Sequence, residues 1–288
     1  MRTDPSGAML AGMWLFVIVL GIVQGLTEFL PISSSGHLVL LQVFWQQPQL
    51  GPEKLLLLDA SVHFATLLAV LWVFRARVVQ LLRTPLSYVV PIRMSNRERD
   101  DGMRLWGLLL IGTIPTALIG LLLQRQIEQA FTSASAVGIS LLITGVLLFF
   151  AGRRTTDNRG LEEMRIRDAL LIGTMQGLAI FPGISRSGFT IGAGLLLGLE
   201  QKLAAEFSFL LAVPAILGAM LMEVLKIHQQ QIGISLLGPY LVGSLLALVT
   251  GIVALRWLLR LLQNGRLGYF AYYCWGLGIF ALFAARFL

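Results

Sequence analysis

Residues 21–37 read GIVQGLTEFLPISSSGH, and 152 positions further on residues 173–188 read GTMQGLAIFPGISRSG. Gln24, Gly25, Leu26, Phe29, Ile32, Ser33, Ser35 and Gly36 fall on Gln176, Gly177, Leu178, Phe181, Ile184, Ser185, Ser187 and Gly188 at that single offset, without a gap. Each copy is a polar, proline-bearing break in apolar sequence, so the chain must build one helix–turn–helix unit twice. Proline lacks an N–H and ends the helix before it, and Ser33 or Ser34 can cap the helix that follows. The copies differ where chemistry would lie: Glu28 and His37 face Ile180 and Phe189, and Arg186 faces Ser34.

The surroundings are those of a membrane protein. The chain is 56% hydrophobic and 13% charged, with a mean hydropathy of +0.79, whereas soluble domains carry about 25% charged residues. A net charge of +7 would suit nucleic acid, but the basic residues sit in short loops between apolar runs, where they report orientation, so no nucleic-acid partner is expected. Cys274 is the single cysteine, which leaves no disulfide framework and no thiolate metal site.

The periodicity predicts an all-α polytopic fold in two repeats, 1–152 and 153–288. The first holds a re-entrant hairpin at about 8–45 and spans at 55–74, 105–123 and 134–152. The second holds a hairpin at about 168–199 and spans at 203–222, 238–259 and 267–285. The first apolar run, 8–23, is shorter than the ~20 residues of a spanning helix; with no small-residue cleavage site after it, it reads as mature sequence. Three spans per repeat is an odd number, so the second repeat enters the membrane inverted. Weaker echoes agree, with His63-Phe64 resembling Glu206-Phe207, and Gly112 and Gly120 resembling Gly243 and Gly251. The basic loops 75–104, 153–167 and 256–266 hold seven, five and three arginines. Placing them in the cytoplasm puts both termini and the mouth of the first hairpin outside and opens the second hairpin inward. The turns then meet near the midplane, as in inverted-repeat transporters. Irregular backbone at that depth must line a cavity or be buried in protein.

The chemistry follows from the turns. Each offers a helix N-terminus with serines and glycines, an arrangement that favours anions, and Arg186 between Ser185 and Ser187 suits bidentate phosphate contact. A phosphate or pyrophosphate is the expected ligand, with Ser33, Ser35, Gly36, Ser185, Ser187, Gly188 and Gln24 around it. Ser34 is a candidate nucleophile and His37 a candidate base or acid. Glu28 could orient a proton acceptor or hold a hard divalent cation. The competing readings are serines that only cap, a histidine bonded to a carbonyl, and an arginine paired with Glu28. Asp59 and His63, four apart on one helical face, are either a packing pair or a support for the site.

At these residues the chain resembles, from end to end, the undecaprenyl pyrophosphate phosphatase family, also called the bacitracin-resistance family. Gln24, Glu28, Pro31, Ser33, Ser34, Gly36 and His37 fill its first signature, and Pro182, Gly183, Ser185, Arg186, Ser187 and Gly188 its second. Many members carry Glu where this chain has Gln24, which removes one carboxylate. The resemblance implies hydrolysis of undecaprenyl diphosphate to the monophosphate and phosphate, recycling the carrier of cell-wall precursors. It implies catalytic roles for Glu28, Ser34, His37 and Arg186, and a divalent cation (Mg²⁺ or Ca²⁺) with Glu28 as ligand. It also implies residence in the bacterial cytoplasmic (inner) membrane, with the cavity opening outward. The expected partners are undecaprenyl diphosphate and membrane lipid, with bacitracin met only through the shared substrate; a homodimer is left open. Serine, water or histidine could attack. The rival class is a lipid-phosphate or anion transporter or flippase, since fold alone does not fix function; a carrier needs anion ligands but not Ser34 with His37.

Overall fold

The computed structural model describes residues 5–45, 50–154, 158–227 and 236–286. The expectation that both termini lie on one side falls partly on residues 1–4 and 287–288, outside those described. Within them the fold is all-α: α1 Pro5–Phe29, α2 Ser34–Phe44, α3 Pro52–Val73, α4 Arg75–Leu86, α5 Asn96–Leu122, α6 Gln124–Ala130, α7 Ala134–Ala151, α8 Ile166–Leu178, α9 Arg186–Leu196, α10 Gln201–Ile227, α11 Leu237–Gln263 and α12 Tyr269–Ala284. Among the described residues six helices are long and apolar enough to cross a membrane, lying within α1, α3, α5, α7, α10 and α11. The chain is a multi-pass membrane protein.

Its faces are distributed accordingly. Along α11, Leu241, Leu245, Val249, Val253 and Trp257 recur every four residues and are exposed, while Gly243, Ala247, Gly251 and Ala254 face inward. Large residues outside and small ones inside is the pattern of a helix packed against protein on one side and lipid on the other, where close backbone approach replaces hydrophobic exclusion.

Both hairpins form, but they are unequal. The expected short first arm is a helix of 25 residues, ~37 Å long at 1.5 Å per residue. Gln24, Thr27 and Glu28 do not interrupt it because each makes a side-chain hydrogen bond along the helix. Thr27 Oγ1 donates to Val23 O at 2.7 Å, and Gln24 Nε2 to Glu28 Oε2 at 3.0 Å. The helix ends only as Pro31 approaches, since the residue before proline is pushed out of the helical region. Its return arm α2 has 11 residues, and α8 and α9 of the second hairpin have 13 and 11, so those three arms are half-length. At the other end of the chain α12, with 16 residues, falls short of the ~20 that a straight span needs.

The basic loop 75–104 is largely helical. α4 buries Leu81 and Thr84 against α5, Trp106 Nε1 donates to Leu81 O at 2.6 Å, and Ser95 with Glu98 closes a capping box at the start of α5. In the second basic loop Arg159 ties down both feet of the second hairpin. It donates to Leu197 O at 2.6 Å beyond α9, and to the fully buried Asp168 Oδ2 at 2.6 Å in α8.

The long helices pack across the halves. A Cβ on Gly21 of α1 would run into the carbonyl of Gly243 in α11, and one on Gly173 of α8 would run into the carbonyl of Gly112 in α5. Gly21 and Gly173 correspond at the 152-residue offset, and Gly112 and Gly243 are one of the weaker echoes. Each hairpin's first arm therefore lies against the middle span of the other half, and this brings the two turns to one place.

Candidate active site

The turns meet backbone to backbone. A Cβ on Gly36 would lie 3.1 Å from Gly183 Cα, and one on Gly188 would lie 3.3 Å from Pro31 Cβ. Ser187 Oγ donates to Leu30 O at 3.2 Å across the junction. Each turn caps the helix that follows with its first serine: Ser33 Oγ accepts from Gly36 N at 3.2 Å, and Ser185 Oγ from Gly188 N at 3.1 Å. Ser33 and Ser185 therefore cap, which frees the hydroxyl of Ser34. Ser33 and Ser35 hydroxyls lie 3.3 Å apart, and those of Ser185 and Ser187 3.2 Å apart.

Glu28 is the hub. Placed by the last turn of α1 beside the N-termini of α2 and α9, its carboxylate lies where both helix dipoles favour negative charge. Arg186, the first residue of α9, hydrogen-bonds Oε1. Ser34 Oγ donates to Oε2 at 2.5 Å, and Gln24 Nε2 donates to the same oxygen at 3.0 Å. His63 Nε2 of α3 stands 3.8 Å from it. The arginine pairing with Glu28 is thus present, and the geometry makes it more than a packing pair. The carboxylate occupies the point on which an arginine, a serine hydroxyl and two helix ends converge, which is where a phosphate would bind.

His37 stands beside the first turn but does not reach Ser34. Its Nδ1 lies 2.7 Å from Ser33 O and its Nε2 lies 2.7 Å from Tyr273 Oη. A carbonyl can only accept, so Nδ1 carries the proton and Nε2 accepts from the tyrosine hydroxyl. The group in contact with the Ser34 hydroxyl is the Glu28 carboxylate, and not His37, the candidate base or acid of the motif. Ser34 and His37 are three apart on α2 and share a face, with ~5–6 Å between their Cβ atoms.

His63 reaches Glu28, while its Nδ1 donates to the main-chain oxygen of Asp59 at 2.8 Å. The Asp59 carboxylate instead accepts from Gln42 Nε2 at 3.0 and 3.3 Å. The two side chains are therefore not hydrogen-bonded to each other, and His63 instead turns Nε2 toward Glu28. Gln176, the repeat counterpart of Gln24, donates to Thr116 Oγ1 at 3.2 Å and Leu211 O at 3.1 Å away from Glu28.

The chain matches the family model described as bacitracin resistance protein BacA over residues 17–280. It belongs to that family. Among its relatives, an undecaprenyl-diphosphatase of Carboxydothermus hydrogenoformans is 41% identical over 269 residues, covering 91% of this chain and 94% of the relative. One of Desulfatibacillum aliphaticivorans is 42% identical over 280 residues, 94% and 98% of the two chains. One of Desulfosudis oleivorans is 44% identical over 265 residues, 91% and 94%.

For this BacA-family chain, three contact residues escape a reading of the motifs. Tyr273 lies 236 positions from His37, and nothing in its own sequence marks it. Its neighbour Cys274 donates Sγ–H to Pro31 O at 3.5 Å. Thr144 accepts from Ser185 N and donates to Gly183 O, both at 3.1 Å; a hydroxyl inside the apolar run 134–152 was the available signal.

Proposed function

We propose that this chain is a membrane phosphatase that hydrolyses undecaprenyl diphosphate to undecaprenyl phosphate and inorganic phosphate. The observation that carries the reading is the hydrogen bond of Ser34 Oγ to Glu28 Oε2 at 2.5 Å, beside Arg186 on the other carboxylate oxygen. A nucleophile, its proton acceptor and a guanidinium share one point, and a carrier needs only the last. The names of the relatives support the same substrate.

An incoming diphosphate displaces Glu28 from Arg186 and takes up the planar fork, which stabilises charge on the transferring phosphoryl oxygens. Ser34 Oγ attacks the terminal phosphorus, and its proton passes to Glu28 Oε2. The bond to the bridging oxygen breaks, and undecaprenyl phosphate leaves with that electron pair. In the second half His37 Nε2, an acceptor with its tautomer already set, takes a proton from water as the water attacks the phosphoserine. Ser34 recovers its proton from Glu28, His37 gives up the water proton to solvent, and phosphate departs.

The donor set fits a hard cation only in part. Gln24 is fully buried and its Oε1 has no partner, so it offers a carbonyl oxygen next to the Glu28 carboxylate. Among the described residues no three of His, Cys, Asp and Glu cluster as metal ligands. Glu28 and Gln24 would hold Mg²⁺ or Ca²⁺ together with the substrate's own oxygens. When bound, the ion supplies neutralisation of the diphosphate beyond what one arginine provides.

The reciprocal packing of Gly21 on Gly243 and Gly173 on Gly112 supports two repeats of inverted topology. The basic loops support a cytoplasmic-membrane orientation with the first turn reached from outside. In intact cells Arg97→Cys, in a Cys274→Ala background, should resist an impermeant thiol reagent until the membrane is opened; labelling from outside reverses the orientation. The functional test is phosphate release by purified protein from undecaprenyl diphosphate in detergent, where no transport is possible. Release that Ser34→Ala abolishes is the expected result, whereas lipid translocation in vesicles without phosphate release would establish the carrier.

A further inference from the structure

α12 grips the first turn at two consecutive residues. Tyr273 Oη donates to His37 Nε2 at 2.7 Å, and the rings stack with centroids 5.7 Å apart and planes within 8°. Cys274 Sγ meets Pro31 O, and Trp275 Nε1 donates to Leu142 O of α7 at 3.2 Å. The helix that carries these contacts has little freedom. Gly278 of α12 lies on the backbone of Gly138 in α7, and Gly145 of α7 on Ala271 O and the Trp275 ring.

From this geometry we propose that Tyr273 is the positioning residue of His37. Ser33 O on Nδ1 sets the Nδ1–H tautomer, and the Tyr273 hydroxyl on Nε2 together with its stacked ring holds the plane of the imidazole, so that Nε2 is kept in place as the acceptor. The inference rests on the phosphatase reading for its kinetic consequence but not for its structural one. A neutral imidazole in water exchanges between two tautomers, and only one presents an acceptor at Nε2. The carbonyl of Ser33 sets the tautomer but holds one edge of the ring alone. The tyrosine adds a donor on the second edge and a stacked face, so the ring plane is fixed as well. Tyr273 is half exposed, with 47% of its surface accessible, so a water can take its place on Nε2 without disturbing packing. A group that acts through another in this way changes the rate of the step the histidine serves and leaves substrate affinity, which Arg186 and the serines supply, almost untouched.

The test uses the full chain in detergent, comparing wild type, Tyr273→Phe and, as a control on the same helix, Tyr272→Phe. Phenylalanine keeps the stacking and removes only the hydroxyl. Nitrogen-15 NMR of histidine-labelled protein, with His37 assigned by loss of its signals in His37→Gln, should show a pyrrole-type Nδ1 and a hydrogen-bonded pyridine-type Nε2 in wild type and Tyr272→Phe. In Tyr273→Phe the Nε2 signal should shift and broaden as the ring loses its second hold, while Nδ1, still bonded to Ser33 O, keeps its pyrrole-type value. With undecaprenyl diphosphate, Tyr273→Phe should lower kcat roughly tenfold at nearly unchanged KM. Identical His37 spectra in Tyr273→Phe and wild type would overturn the proposal, as would a raised KM at unchanged kcat. If wild type releases no phosphate, the phosphatase reading fails by itself, and the spectra still decide whether Tyr273 holds the His37 ring.

Discussion

At 30–37 the chain turns through Ser33 at φ 68°, a left-handed value carried by a residue with a Cβ; at 182–189 the left-handed residue is Gly183 at φ 91°, which has none to strain. Among the described residues Ser33 alone, other than glycines, has positive φ, a conformation that costs on the order of 1–3 kcal/mol. The relaxed turn is braced by Thr144 on both Ser185 N and Gly183 O. The strained one is held by His37 on Ser33 O and by α12. The first turn also carries Ser34 and His37, with Glu28 just before it, whereas the second contributes one cation, Arg186. The two turns share one local sequence pattern, but the left-handed strain and the ionisable Glu28 and His37 fall at one of them and the arginine at the other.

Removing what the second turn contributes should have the largest effect. Arg186→Lys keeps the charge but loses the planar fork, and kcat/KM for undecaprenyl diphosphate should fall by about 10²–10³; near-wild-type turnover would show that only net charge matters there.

The packing that brings the turns together can be attacked symmetrically. Gly173→Ala and Gly21→Ala each push a methyl into a carbonyl of the facing helix, and overpacking of this kind costs roughly 1–3 kcal/mol. Both should lower the unfolding midpoint in detergent and impair activity in proportion. A drop for one variant alone would mean that the two halves do not share one packing scheme.

A smaller effect is expected beside the first turn. Gln24→Glu restores a carboxylate next to Glu28, and hard cations bind carboxylates more strongly than amides. The Mg²⁺ concentration for half-maximal activity should fall severalfold, with slower turnover from repulsion of the diphosphate. An unchanged midpoint would move Gln24 out of the cation's reach and leave it as a hydrogen-bond donor to Glu28.

The smallest effect distinguishes the turns by sign. Ser33→Gly relieves the left-handed strain while giving up a cap, and replacing a cap by glycine costs only a few tenths of a kcal/mol. The variant should be slightly stabilised, by about 1 kcal/mol or less. Ser185→Gly relieves nothing and should be slightly destabilised in the same thermal assay; equal signs would remove strain as a difference between the turns.

Much of this was legible because it is local. The proline breaks, the capping serines and the clustering of Glu28, Ser34 and Arg186 all follow from residue type and a repeat with a fixed offset. The length of α1 was not, because Gln24 and Glu28 look like interruptions until their i, i+4 hydrogen bond is seen to join them along the helix. The partners of His37 were not either. Spacing shows that His37 shares a face with Ser34, but which groups reach its nitrogens depends on Tyr273, which only the packing of α12 on α7 delivers. Glu28 as the acceptor for Ser34 depends similarly on the angle between α1 and α2, which the turn at Ser33 sets.

The most direct test of the claim that the first turn does the chemistry and the second holds the charge is to trap the phosphoryl group. Purified protein, mixed with undecaprenyl diphosphate carrying radiolabelled terminal phosphate and quenched in acid within one turnover, should yield a labelled peptide with phosphate on Ser34. His37→Gln should increase that label by slowing its hydrolysis, and Ser34→Ala should abolish it together with turnover. Label absent from Ser34 in both wild type and His37→Gln, while phosphate is still released, would contradict the account and place the attack on water.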